Sequence, residues 1–215
     1  MLPAHDVEVT SSTTAEVVCA QELRVAGDTS RSLVKWAFWH GWKGIINDAK
    51  VSAETGRKSA GVGIFVRDHL GLGHPPDGPM RSNDGRAIAG MVELAGLPKM
   101  IVVAAYFRVG EGLSEGSLEL MREIGEWCGS HGMPFVIGAD WNLSPDDVAA
   151  TSLADSLQGA IVADTDPIGT CTAEGESSHR LFPCERRCGG SCAQCQGRCE
   201  CSDRHAPPGA VGAPC

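Results

Sequence analysis

Short apolar runs alternate with amphipathic stretches along most of the chain, and each predicts a definite element. Glu16 to Ala20 (EVVCA) predicts a buried strand that ends at Gln21-Glu22. Ser30 to His40 carries Leu33, Trp36 and Ala37 at the three- and four-residue spacing of one helix face. Gly61 to Val66 (GVGIFV) predicts a short strand whose glycines admit a close neighbour. Arg86–Leu94 and Met100–Tyr106 predict two more strands, and Ala95-Gly96-Leu97-Pro98 between them is a hairpin signal.

Ser114 to Ser130 predicts a helix with Leu118, Met121, Ile124 and Cys128 as its apolar stripe. Pro134 to Gly138 (PFVIG) is wholly apolar and predicts a buried strand, followed at once by Asp140-Trp141-Asn142. Ser144-Pro145-Asp146-Asp147 then has the marks of a helix start: a serine cap, a first-turn proline and two acids near the positive end of the dipole. Strands outnumber helices in mixed order, which predicts packed sheets with helices outside.

Composition divides the chain in three: an N-terminal extension (1–14), a domain over 15–170, and a Cys-rich segment (171–215) expected to lack order. Of ten cysteines only Cys19 and Cys128 precede residue 171. Residues 171–215 hold five basic and five acidic side chains, so the net charge of −9 belongs to the part before them. An acidic domain argues against a broad basic face for a nucleic-acid backbone, although bound cations can meet a phosphate in an acidic cleft. The opening MLPAHDVEVTSSTT has no basic start followed by an apolar run, and no stretch has membrane-spanning length. A reducing intracellular compartment is the expectation, nucleus or cytoplasm being left open.

The chemistry is expected at strand ends. Glu22 and Asp140 each follow an apolar run, and carboxylates on neighbouring strand ends can share one hard cation. Asn142, two residues past Asp140, would point to the same side of an extended chain. Each feature also has an ordinary explanation. Gln-Glu after a strand is commonly a solvated strand end, Asp-x-Asn a backbone-capping turn, and Tyr106 an amphipathic core residue. Among the tryptophans (36, 39, 42, 127 and 141), packing is expected, with Trp141 alone placed to stack on a substrate. Arg57-Lys58 could touch a phosphate or sit in a solvated loop.

Four segments in order resemble the endonuclease/exonuclease/phosphatase (DNase I-like) family over residues 15–165. VVCAQELRV is similar to its strand ending in Gln-Glu, SAGVGIFVRDHLGL to its glycine-rich strand, and MIVVAAYF to the strand bearing its active-site tyrosine. PFVIGADWNLSP resembles its Gly-Asp-x-Asn signature. The resemblance implies a four-layered α/β sandwich, incomplete at the C-terminal side. It also implies Mg2+- or Mn2+-dependent hydrolysis of phosphoesters, with nucleic acid the favoured substrate and inositol phosphates or deadenylation substrates as alternatives. By that resemblance Glu22 is the metal ligand, Tyr106 and Asp140 position or activate the nucleophile, and Asn142 holds the phosphate.

The pattern departs from the family at both ends. No asparagine precedes Glu22, and Ser202-Asp203-Arg204-His205 interrupts the family's closing Asp-His with an arginine. Impaired activity is therefore expected. With one choice of synonymous codons, a slipped reading frame before His179 would hide an Arg-Ile-Asp-Tyr-Phe segment, making the Cys-rich segment out-of-frame sequence. The competing expectation is a non-catalytic zinc-binding or protein-interaction module. Cys184, Cys188, Cys192, Cys195, Cys199 and Cys201 include one C-x2-C pair but no second one to match it.

Overall fold

Alternation within the strands decides how the layers stack. The computed structural model describes residues 14–163 and the backbone of 180–185. In chain order these residues form β1 (Val17–Ala20), α1 (Asp28–Trp39), β2 (Trp42–Asn47), β3 (Lys50–Val51), β4 (Lys58–Ser59), β5 (Val62–Arg67) and β6 (Gly71–Gly73). After them come β7 (Ala87–Glu93), β8 (Met100–Tyr106), α2 (Glu115–His131) and β9 (Phe135–Asp140). The last elements are α3 (Pro145–Ala150), α4 (Leu153–Ser156), β10 (Gly159–Ala163) and β11 (Arg180–Glu185).

One sheet runs β1-β5-β2, a second runs β10-β11-β9-β8-β7-β6, and β3 pairs with β4. All pairings are antiparallel except β8 with β9, whose connection is α2. A parallel pair requires such a crossover. In β8 the odd positions Ile101, Val103 and Ala105 pack with Leu120, Met121, Ile124 and Cys128 of α2. The even positions Val102, Ala104 and Tyr106 pack with Val62, Ile64 and Val66 of β5. A third cluster joins Ala37 of α1 to Trp42, Ile46 and Phe65. The order of layers is therefore α1, three-stranded sheet, six-stranded sheet, α2. A strand buried on both faces reads as an unbroken apolar run, which explains MIVVAAY.

Local chemistry ends the helices, at α3 as the sequence predicts. The Ser114 hydroxyl accepts the Ser117 amide and Gly132 closes α2 in the left-handed conformation. Ser144 and Asp147 form a reciprocal capping box at α3.

Three expectations need correction. Leu118 is 44% exposed, and Leu120 takes its place in the buried stripe. It lies instead in a groove shared with Leu153 and Leu157. Trp39 is not a core residue, being 73% exposed at the end of α1. Arg180–Glu185, in a segment expected to supply no strand, lies between β9 and β10. The boundary at 170, the altered frame, Ser202–His205 and the cysteines from Cys171 onward, apart from the backbone of Cys184 in β11, lie outside the described residues. The sequence pattern also missed β2 (WKGIIN), because Gly44 interrupts its alternation. Phe65 is the cross-strand partner of Gly44, and its ring comes within 2.5 Å of where a β-carbon would stand. The glycine makes room for that ring.

Candidate active site at the mouth between the sheets

β1 and β9 deliver their carboxylates to the same end of the sandwich. Beyond Ala20 the chain turns across the sheet ends, and Gln21 Nε2 donates to the Gly138 carbonyl of β9 at 3.1 Å. The Leu23 amide donates to Gly61 O at 2.9 Å and the Arg24 amide to Ala60 O at 3.1 Å. Between these anchors Glu22 and Arg24 have φ of 52° and 51°. Non-glycine residues rarely take that conformation, and surrounding structure must hold them in it. Here the two amide bonds and the Gln21 side chain do so.

On the opposite sheet Tyr106 and Asp140 are direct partners at the ends of the parallel strands β8 and β9. Their surroundings are fixed by backbone bonds: the Tyr106 amide donates to Arg86 O and the Phe107 amide to Asp140 O, each at 2.8 Å. Tyr106 projects into the space between the sheets and is 8% exposed. Burial pushes its phenol up to about 12, assisted by its hydrogen bond to Glu22, the charge of Glu22 and the charge of Asp140. Arg24 acts on it in the opposite direction. The Tyr106 hydroxyl thus feels both carboxylates, and at neutral pH it stays protonated. Glu22 Oε1 also accepts from Arg24 Nη2 at 3.1 Å, which holds that guanidinium more firmly protonated than usual.

Asn142 stands just beyond Asp140 with φ 47°. Its Nδ2 donates to Phe107 O at 2.7 Å, which orients the amide plane and commits one of its two N–H groups. Trp141 is fully buried and lies parallel to Phe107, centroids 4.8 Å apart at 9°. The expectation that it could stack on a substrate is corrected: its indole faces the α2 side of the sheet. Alternation along the chain turns Trp141 inward while its neighbours Asp140 and Asn142 are partly exposed.

Glu22, Tyr106 and Asp140 therefore converge, and Asn142 flanks them. Sequence reasoning missed Gln21, Phe107 and Arg24. Their work is done through backbone carbonyls and a single ion pair, for which a sequence carries no pattern. Arg57 and Lys58 are exposed beside the β3–β4 hairpin.

Two carboxylates and a phenol are all oxygen donors. That set suits a hard cation, and magnesium commonly uses only one or two protein carboxylates and keeps its waters. Among the described residues no group of three or more His, Cys, Asp or Glu is placed to hold a metal ion. Nor, among the described residues, is any helix long and apolar enough to cross a membrane.

The two-sheet sandwich with outer helices is the architecture of the endonuclease/exonuclease/phosphatase, DNase I-like proteins. An AP endonuclease from Leishmania major, LMAP, superposes with a TM-score of 0.61 at 12% identity, over 84% of this chain and 72% of that one. The endonuclease domain of TRAS1, a telomere-specific non-LTR retrotransposon, gives 0.52 at 15% identity, over 83% and 77%. An endonuclease/exonuclease/phosphatase from Bacteroides vulgatus gives 0.51 at 18% identity, over 79% and 73%. No family model matches the sequence, and no curated protein matches it.

Proposed function

We propose that the chain is a divalent-metal-dependent phosphoester hydrolase, with nucleic acid as its substrate class. The observation that carries this is the meeting of Glu22, Tyr106 and Asp140 at one mouth: Tyr106 and Asp140 are register partners, and the Gln21 side chain ties the Glu22 loop to the Gly138 carbonyl of β9. Two carboxylates and a protonated phenol at one mouth serve phosphoester hydrolysis, which needs charge neutralisation and an activated water. The fold neighbours named AP endonuclease and endonuclease domain favour nucleic acid over other phosphoesters.

In this proposal Glu22 would hold the cation, Mg2+ or Mn2+. A bound cation would neutralise the charge that develops on the phosphate oxygens. Asp140 orients the attacking water and accepts its proton as the new P–O bond forms, while the ester P–O bond opposite it breaks and the departing alkoxide takes a proton from solvent. Tyr106 donates its hydroxyl proton as a hydrogen bond to a phosphate oxygen, replacing the bond it makes to Glu22. Asn142 offers the second N–H of its oriented amide to the same phosphate. Phe107 supports both neighbours: its carbonyl orients Asn142 and its amide holds the Asp140 backbone.

The test is cleavage of single- and double-stranded DNA and of RNA with Mg2+, with and without a chelator, by the full chain and its Glu22→Ala and Asp140→Ala variants. Slow cleavage that needs the metal and falls about a hundredfold or more in both variants supports the proposal. No cleavage of any substrate, cleavage that survives the chelator, or cleavage kept in both variants contradicts it.

A further inference from the structure

Arg24 has no part in the roles assigned so far, yet it occupies the mouth. Its guanidinium sits on Glu22, the residue proposed to hold the cation, at 3.1 Å. Both side chains are open to water, 63% exposed for Arg24 and 40% for Glu22. An exposed ion pair of this kind contributes little to stability and exchanges readily. The backbone is the opposite of loose. Arg24 keeps a left-handed φ of 51° while its amide is bonded to Ala60 O. A strained backbone that aims a weakly paired cation at a reactive mouth is a feature that folding alone does not require.

The surrounding charges add to the argument. The domain is acidic, so its overall field repels a polyanion. A phosphate must then find positive charge locally. Near the mouth, Arg108 is taken by Glu111 at 3.1 Å. Arg86 is buried behind the sheet end, bonded to Asp84 and to Gly116 O. Arg24 is the exposed cation whose partner is itself the proposed metal ligand.

We propose that Arg24 is a substrate-positioning residue that shares Glu22 with the cation: the divalent ion displaces the guanidinium from the carboxylate, and the released guanidinium takes a non-bridging oxygen of the incoming phosphodiester. This rests on the proposed metal role of Glu22. Arg24 then couples cation and substrate, because the guanidinium becomes available to a phosphate only when the carboxylate is occupied. A planar guanidinium suits two phosphate oxygens at once.

Two measurements on the full chain test it: Mn2+ binding alone by calorimetry, and binding of a cleavage-resistant phosphorothioate oligonucleotide with Mg2+ present. Arg24→Ala should bind Mn2+ severalfold more tightly, since the competing guanidinium is gone. It should bind the oligonucleotide about tenfold more weakly, the equivalent of one charge-assisted hydrogen bond. Arg24→Lys should recover part of the oligonucleotide affinity, and the melting temperature should stay close to that of the parent in both variants. If Arg24→Ala leaves both affinities unchanged, or weakens Mn2+ binding, the proposal is overturned. Mn2+ binding that survives Glu22→Gln instead defeats the metal-site assignment, which separates the two failures.

Discussion

The Tyr106 phenol faces the Glu22 carboxylate across the gap between two sheets. Their approach links the loop after β1 to the end of β8, two elements that share no strand pairing. Asp140 reaches the same phenol from β9 through strand register. Two independent pieces of geometry therefore meet at one atom, the anchored loop on one side and parallel pairing on the other.

The loop depends on Gly61. Its φ is +87°, and an added β-carbon would stand 3.1 Å from the Arg24 amide nitrogen and 3.2 Å from Ala49 Cβ. Gly61→Ala should destabilise the chain by about 1–3 kcal/mol in urea denaturation and weaken Mn2+ binding. Gly96→Ala is the control, because Gly96 also has positive φ, +76°, but nothing lies within 4 Å of the place a β-carbon would take. Gly96→Ala should cost only the backbone term and leave Mn2+ binding intact. Equal effects of the two on Mn2+ binding would show that Gly61 has no special hold on the Glu22 loop.

Trp141 is a packing residue. Its indole is buried against Phe107 and the residues of the α2 layer. Trp141→Phe should lower stability by about 1–3 kcal/mol, as core truncations do, and leave oligonucleotide affinity unchanged. Weaker oligonucleotide binding at unchanged stability would restore Trp141 to the substrate surface.

The raised Tyr106 phenol has a consequence for stability at high pH. The ordinary value is 10.0 and the folded value about 12, so the folded chain holds this proton more tightly than the unfolded chain. The resulting stabilisation is fully present below pH 10 and is lost as pH rises through 12. A difference of this size corresponds to up to about 3 kcal/mol. Tyr106→Phe should lack this component, so its urea midpoint should fall less steeply over that window. Parallel loss in both proteins would contradict the assignment.

The placement of the candidate site was largely legible because each of its main residues ends an apolar run. EVVCA before Gln21-Glu22 and PFVIG before Asp140 both mark strands, and strand ends are where polar side chains can gather in a two-sheet sandwich. MIVVAAY predicted both the strand and the burial of Tyr106. What remained hidden depends on pairing across long stretches of chain. β2 was obscured by Gly44, which makes sense only beside Phe65. Arg24 carries no motif, and its place beside Glu22 follows from the backbone anchors at Ala60 and Gly61. The inward turn of Trp141 was also unreadable, since Asp-Trp-Asn after a strand does not say which of the three faces the core.

Tyr106 is the chain's single tyrosine, so its phenolate can be titrated by ultraviolet absorbance with no other tyrosine contributing. The wild-type midpoint should lie near 12. It should fall in Glu22→Gln and, by less, in Asp140→Asn, because each variant removes one negative charge from beside the phenol. A wild-type midpoint at the ordinary value, or one that neither variant moves, would mean that the two carboxylates do not meet at Tyr106.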